Sequence, residues 1–124
     1  MSAKIVKISK VDKAHAGMPE AEVRKVLAKL QNKFQEIYGQ RLLKVMLYGS
    51  YARGRAHKDS DVDVAVVLKG KVAPGKEIDR VLSDIVDLDL QYDCLISVYF
   101  VSEKDYLTRQ SPLLMNIRSE GLRV

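Results

Sequence analysis

Two short apolar runs separated by a polar loop constrain the fold of this chain more than any other feature. Leu42 to Tyr48 is mostly apolar and ends abruptly at Gly49-Ser50, a pattern typical of a buried strand. Asp61 to Leu68 is a second run, rich in β-branched residues. Because the two runs are close in sequence, they predict an antiparallel pair of strands joined by a long loop.

Helical patterns flank these strands. Apolar residues recur at steps of three and four between Pro19 and Gly39, which predicts a helix that starts at the proline and stops at the glycine. A second helix is predicted after a surface loop over Gly70 to Gly75. The apolar stripe of the first helix is Val23, Val26, Leu27, Leu30, Phe34 and Ile37, and that of the second is Ile78, Val81, Leu82, Ile85 and Val86.

The last third of the chain predicts one more strand and two short helices. Cys94 to Val101 is β-branched and aromatic, and Ser102 to Asp105 is typical of a helix cap and first turn. Ser111-Pro112 opens a last helix through Ile117, whereas Leu88 to Tyr92 has no clear assignment. This order predicts an α+β fold (an α/β sandwich): a small mixed β-sheet with helices packed on it.

Length and composition exclude several classes of protein. With 124 residues, 47% hydrophobic and 30% charged, the chain is predicted to form one domain over 1–124, with 1–17 as a strand or a loose N-terminal arm. It has no run of about 20 apolar residues for a bilayer and no signal-peptide pattern, so we expect no membrane contact and a cytoplasmic location. The net charge of +5 suits an anionic partner, or simply solubility.

Asp61 and Asp63 are the first candidates for chemistry. Alternate residues of a strand share a face, so both carboxylates stand side by side while Val62 and Val64 face the core. Two such close charges repel, and a divalent cation relieves that repulsion. Mg²⁺ is commonly held by one or two carboxylates together with substrate phosphates, so the spacing predicts a metal and a nucleotide at one site.

Residues suited to bind phosphate precede this pair. Gly49 lets the backbone approach a phosphate, Ser50 offers a hydroxyl and an N–H, and Arg53 can clamp phosphate oxygens with two hydrogen bonds. Each feature alone has a plainer explanation, because a Gly-Ser pair is usually only a turn and the Asp pair could be a solvated acidic edge. The combination is more specific than its parts.

The segments Leu47-Tyr48-Gly49-Ser50-Tyr51-Ala52-Arg53-Gly54 and Asp59-Ser60-Asp61-Val62-Asp63-Val64-Ala65-Val66 together resemble the nucleotidyltransferase superfamily related to DNA polymerase β. They look most like its minimal nucleotidyltransferases. Ten residues separate Ser50 from Asp61, which is the spacing of that family's signature. The likeness is tight over 47–67 and looser elsewhere.

The resemblance implies Mg²⁺ on Asp61 and Asp63, ATP or another nucleoside triphosphate on Gly49, Ser50, Arg53 and Ser60, and transfer of a nucleoside monophosphate, AMP above all, to an acceptor hydroxyl. It also implies a partner. Many such proteins are encoded beside a small helical HEPN protein, which they modify as its antitoxin, and a homodimer or a heterocomplex is also compatible with the small sheet.

Members of this family usually carry a third carboxylate on a later strand, and the third predicted strand contains none. Ser97 is the best candidate for that position, with Asp93, Asp87 and Asp89 as further candidates. A serine cannot act as a carboxylate base, so a second function stays open: a catalytically weak nucleotide-binding module that neutralises its partner by complex formation. Nucleic-acid binding ranks last, because aromatic residues are only 6%.

Overall fold

The computed structural model describes residues 16–124, and its centre is a four-stranded mixed sheet. The strands are β1 (Leu42–Tyr48), β2 (Val62–Leu68), β3 (Ile96–Ser102) and β4 (Leu122–Arg123), in the spatial order β3-β2-β1-β4. β1 is antiparallel to both β2 and β4, and β2 is parallel to β3. The predicted α+β class and the antiparallel pair of β1 with β2 are confirmed.

One face of the sheet is covered by two long helices, α1 (Glu20–Tyr38) and α3 (Pro74–Tyr92). β2 supplies Val62, Val64, Val66 and Leu68 to this larger core, all with no exposed surface. Burying each such side chain contributes about 1.5–3 kcal/mol before the entropy cost of folding. The predicted stripe of α1 is buried as expected except that Ile37 is only partly buried and Tyr38 replaces it.

The opposite face of the sheet holds a smaller core under α4 (Glu103–Thr108) and α5 (Pro112–Glu120). The strand residues of this core, Met46, Ala65, Val67 and Val101, alternate with those of the larger core, and the two helices add Tyr106, Leu114 and Ile117. Both helix starts are capped as predicted, because the Ser102 and Ser111 hydroxyls accept from the Asp105 and Leu114 amides.

The predicted loop over Gly70 to Gly75 is wrong at its end, because α3 already begins at Pro74. Proline suits a first helical position, and the Glu77 carboxylate accepts a hydrogen bond of 3.2 Å from the Ala73 amide. The same helix runs on through the unassigned stretch to Tyr92, with Leu88 buried. Its predicted apolar stripe is wrong at Leu82 and Val86, which are exposed.

Three further boundaries differ from the sequence prediction. β3 begins at Ile96 and not at Cys94, because Asp93 ends α3 in a left-handed conformation and the Cys94 amide still donates to Asp89. β2 begins one residue after Asp61. Gly49–Arg53, expected to be a turn, forms a short helix, α2.

The prediction for residues 1–17 falls almost entirely outside the described residues. Within residues 16–124, no helix is long and apolar enough to cross a bilayer.

Candidate active site

Asp63 lies at the centre of the sheet, near the end where β2 and β3 begin. It is the second residue of β2, and its register partners are Tyr48 on β1 and Ser97 on β3. It belongs to the residues that alternate with Val62 and Val64, so its carboxylate stands on the side of the smaller core. Asp63 is therefore separated from the buried valines as predicted, whereas Asp61 lies just before the strand.

The electrostatic surroundings of Asp63 disfavour a lone negative charge. Partial burial raises the pKa of this carboxyl, and the neighbouring Asp61 carboxylate raises it further. The Arg53 guanidinium acts in the opposite direction. Asp61 itself is exposed just before β2. Two carboxylates, one of them partly desolvated, form a site that a small cation would stabilise.

Gly49 is required by the position of Asp63. Its φ of +75° is one that L side chains rarely adopt, and a Cβ there would overlap Oδ2 of Asp63 and lie 3.1 Å from its Cγ. The sequence suggested a glycine for close approach of phosphate. The structure adds a nearer reason, since the glycine makes room for the carboxylate.

Ser50 follows in the first turn of α2 and is partly buried. N–H groups in the first turn of a helix have no partner within that helix, so the Ser50 amide and hydroxyl are suitable donors for a phosphate. The next residue, Tyr51, holds α2 in place, because it is buried and its hydroxyl accepts a hydrogen bond of 2.9 Å from the Met18 amide. These contacts fix α2, whose first residue, Gly49, lies against Asp63.

Arg53 lies at the end of α2 and is exposed. Its Nη1 atom donates to the Glu120 carboxylate at the end of α5, at 2.7 Å. The guanidinium is still close enough to Asp63 to lower the pKa of that carboxyl. Arg53 is thus held at the rim of the site by a partner that the sequence gave no reason to choose.

Ser60 closes the loop between α2 and β2. Its hydroxyl accepts a hydrogen bond from the His57 amide at 2.9 Å, and its own amide donates to the His57 carbonyl at 2.9 Å. These two hydrogen bonds close a turn between His57 and Ser60, directly before Asp61. Its assignment to nucleotide binding stays a prediction.

The candidates for the third-acid position differ in where they lie relative to Asp63. Ser97 is directly opposite Asp63 in the parallel register, so it occupies the place expected of a residue that shares a metal with Asp63. Asp93 is the exposed C-cap of α3, and Asp87 is exposed on the same helix. Residues 96–102 contain no Asp or Glu, so no carboxylate of β3 can take the position of Ser97.

Asp89 has a different place from the other candidates. Its Oδ1 atom accepts a hydrogen bond of 2.9 Å from the Ile96 amide, which ties the end of α3 to the start of β3. Burial raises the pKa of Asp89, that hydrogen bond lowers it, and the charge of Asp61 raises it. The Asp89 carboxylate therefore lies within electrostatic reach of Asp61, although it is engaged with the backbone.

The carboxylates of Asp61 and Asp63 suit a cation that takes its remaining ligands from water and substrate. Within residues 16–124, no three or more His, Cys, Asp or Glu side chains form a cluster able to hold a metal. Asp61 and Asp63 supply two carboxylates, and Mg²⁺ usually completes such a set with water and substrate phosphates. The residues present fit that arrangement.

Sequence reasoning missed Tyr48 as a neighbour of Asp63. Tyr48 is half-buried, and burial together with the charges of Asp63 and Tyr99 raises the pKa of its phenol to about 12. The register of β1 on β2 puts it there, and the alternation of the two strands predicts the face of each side chain but not this pairing. The contact of Arg53 with Glu120 has no such signal, since 67 residues separate them.

Comparison with known proteins bears directly on this site. The model of the nucleotidyltransferase domain family matches residues 27–120, which include every candidate site residue. A protein of Methanocaldococcus jannaschii named "Putative protein adenylyltransferase MJ1305" is 36% identical over 104 residues, covering 81% of this chain and 69% of the relative. A second protein of that organism with the same kind of name, MJ0141, is 33% identical over 76 residues, covering 61% and 76%.

Solved structures agree on the fold. A "toxin-antitoxin with AMP-PNP" superposes with a TM-score of 0.56 at 18% identity, covering 77% of this chain and 69% of that one. A mutant of the toxin-antitoxin MntA-HpeT gives a TM-score of 0.54 at 17% identity, covering 82% and 70%. At such low identity the likeness concerns the fold alone. The family model and the 36% identical relative show more: this chain belongs to the nucleotidyltransferase domain family.

Proposed function

We propose that this protein is a Mg²⁺-dependent adenylyltransferase that transfers AMP from ATP to a hydroxyl group of a partner protein. The observation that carries the proposal is the adjacency of Gly49, Asp63 and Ser97, with Asp61 and Arg53 beside them, on the chain of a nucleotidyltransferase family member. The names of two relatives that are more than 30% identical point to adenylyl transfer onto protein.

In this proposal the triphosphate lies along the start of α2. The Ser50 amide and hydroxyl donate to phosphate oxygens, and Gly49 presents no side chain in that path. Arg53 exchanges Glu120 for a phosphate, because a guanidinium forms paired hydrogen bonds with either group. Glu120 thus holds the arginine in place until the nucleotide arrives.

Asp61 and Asp63 are the residues that would hold Mg²⁺. When bound, the ion would neutralise charge on the phosphates and favour the ionised form of the acceptor hydroxyl. Asp63 would hold it from the start of β2, which is more rigid than a loop, and Asp61 from the residue just before that strand. Partial burial of Asp63 strengthens its interaction with any cation.

The proposed transfer is a displacement at the α-phosphorus of ATP. The acceptor oxygen forms a bond to the α-phosphorus, the bond from that phosphorus to the bridging oxygen of the β-phosphate breaks, and pyrophosphate leaves with the electron pair. The acceptor proton passes to a base or to water. Because this chain has Ser97 and no carboxylate opposite Asp63, we propose that water or a group of the partner takes the proton.

The partner that we propose is a HEPN-type protein, for which this chain acts as antitoxin. The support is twofold: two structural neighbours are toxin-antitoxin assemblies, one of them with AMP-PNP, and the sequence motifs resemble minimal nucleotidyltransferases. We propose further that the chain acts in the cytoplasm and that residues 1–124 form one domain.

The test is transfer of label from α-³²P-ATP. Wild-type protein, Mg²⁺ and a HEPN-type protein from the same organism should give a labelled partner. The variants Asp61→Asn and Asp63→Asn should give none, while Asp105→Asn, a change in a distant acidic residue on α4, should label normally. An unlabelled partner with wild-type protein, or equal labelling by all variants, would contradict the proposal.

Ser97 opposite Asp63 favours one second candidate function. In it, the chain binds nucleotide and neutralises the partner by forming a complex, with little or no transfer. The two functions differ in one measurement: inhibition of the partner by Asp61→Asn and Asp63→Asn proteins. Neutralisation that survives both substitutions supports the binding module, and neutralisation that is lost supports the enzyme.

A further inference from the structure

The outer face of α3 carries three exposed apolar side chains in one row. Leu82, Val86 and Leu90 follow at steps of four residues, which puts them on one stripe of the helix. Their exposed fractions are 50%, 43% and 78%. A single exposed leucine needs no explanation, but a row of three on a helix marks an interaction surface. We call these three residues the α3 stripe.

The stripe is not needed for the fold. α3 packs on the rest of the protein through a different face, with Glu77, Val81, Ile85 and Leu88 buried. The stripe residues lie outside both cores. Their apolar character therefore has no explanation within residues 16–124.

The charge around the α3 stripe is opposite to that of the whole chain. Residues 81–103 contain five acids and no Lys or Arg, in a protein whose net charge is +5. Asp79 lies three residues before Leu82 and Asp93 lies three residues after Leu90, and both are exposed. Acidic groups therefore border both ends of the stripe, and they favour a basic partner surface.

The stripe also leads to the candidate active site. Leu90 follows Asp89, whose carboxylate holds the Ile96 amide at the start of β3. The carbonyl of Leu95, itself 59% exposed, accepts a hydrogen bond of 2.8 Å from the Val62 amide between Asp61 and Asp63. The end of α3 that carries Leu90 therefore lies at the same end of the sheet as Asp61 and Asp63.

We propose that the α3 stripe docks an amphipathic helix of the acceptor protein, one whose apolar face is bordered by Lys or Arg. An amphipathic helix is the natural occupant of such a row, because anchors at steps of three and four residues match between two helices. A second copy of this chain fits poorly. An antiparallel pair centred on Val86 brings Asp79 against Asp93 at both ends, where like charges repel.

This inference rests on the proposed function for the identity of its partner, but its test does not require catalysis. The probe is a fluorescent model helix of about 20 residues with leucines on one face and lysines beside them, and a companion peptide has glutamates in place of the lysines. Anisotropy should show the lysine peptide binding to wild-type protein at least tenfold more tightly than the glutamate peptide. Equal affinities would overturn the inference.

Substitutions then locate the site. The double variant Leu82→Gln, Leu90→Gln should lose at least tenfold in affinity for the lysine peptide and keep its affinity for ATP. Met115→Gln is the matched control, because Met115 is as exposed as Leu82 but lies on α5. Loss of peptide binding in the control, or none in the double variant, overturns the inference, as does a wild-type dimer that the double variant dissociates in light scattering.

Docking and catalysis can fail separately. If the double variant labels the HEPN-type protein from α-³²P-ATP as fast as wild type, the docking surface is wrong and the enzyme stands. If wild-type protein labels nothing but binds the lysine peptide through the stripe, the proposed transfer is wrong and the docking surface stands. Slow labelling by the double variant, at unchanged ATP affinity, supports both.

Discussion

Gly49 lies directly against the Asp63 side chain: a Cβ added to the glycine would overlap Oδ2 of Asp63 and lie 3.3 Å from its Cβ. The glycine belongs to α2 and the aspartate to β2, so this contact joins the two motifs that lie 14 residues apart in the sequence. It makes the phosphate-binding candidate and the metal-binding candidate parts of one structure, in which a side chain added at Gly49 displaces the Asp63 carboxylate.

Gly49→Ala should therefore damage the site more than its backbone conformation alone explains. The left-handed conformation costs a non-glycine residue about 1–2 kcal/mol of stability. Displacement of the Asp63 carboxylate should in addition weaken binding of Mg²⁺ with ATP, measured by calorimetry. Gly39→Ala is the control, because Gly39 also has a positive φ, of +54°, with nothing within 4 Å of its added Cβ.

Both alanine variants should lose stability in urea denaturation, and only Gly49→Ala should lose nucleotide affinity. If both keep their affinity for Mg²⁺ and ATP, Asp63 has room that the structure does not show, and the argument for Gly49 fails.

Ser97→Asp should complete the carboxylate set. Ser97 is exposed and is the direct register partner of Asp63, so an aspartate there adds a third charge beside the predicted metal. We expect tighter Mg²⁺ binding and faster transfer, up to about 10²-fold if the base is what limits the rate. Ser97→Asn is the control for side-chain size. Equal rates for the aspartate and asparagine variants would show that a missing base does not limit this site.

The strands of the site could be predicted from sequence because their signal is local. The prediction of a strand over Leu42–Tyr48 is correct at both ends, since a short apolar run that stops at a glycine is a local signal for the end of a strand. The spacing of Asp61 and Asp63 needed only the alternation of a strand. The family resemblance, confirmed by the family model, added the chemistry that no periodicity contains.

Other parts could not be predicted because they depend on tertiary contacts. β4 is only Leu122–Arg123, too short for a pattern, and it exists because Val124 donates to the Val45 carbonyl and β1 offers a free edge. The start of α3 could not be predicted because Pro74 and Gly75 are typical loop residues. The helix begins there because the Glu77 carboxylate accepts a hydrogen bond from the Ala73 amide. The contact of Arg53 with Glu120 likewise requires α5 to be in place.

Glu77→Gln should destabilise the fold without affecting the site. Glu77 is 3% exposed, and its two oxygens accept from the Tyr38 hydroxyl at 3.0 Å and the Ala73 amide at 3.2 Å. Glutamine has one carbonyl oxygen for these two donors, so one loses its acceptor, which costs about 1–3 kcal/mol in a buried setting. Glu36→Gln, on the exposed side of α1, should cost little. Urea denaturation of both variants checks the difference, and equal midpoints would contradict it.

Stability should fall as the pH rises above about 9, because several weak acids, Tyr38 and Cys94 among them, have raised pKa values and keep their protons in the folded state. Burial and the hydrogen bond to Glu77 raise the pKa of Tyr38 from 10.0 to about 12, and burial raises the pKa of Cys94 from 9.0 to about 11. Below the lower values both states are protonated and pH has no effect. Between the unfolded and folded values only the unfolded chain loses the proton, so the unfolding free energy declines with pH. Urea midpoints at intervals from pH 8 to pH 11 measure the decline, and Tyr38→Phe should reduce its slope above pH 10. A slope that this variant leaves unchanged would exclude Tyr38 as a source of the effect.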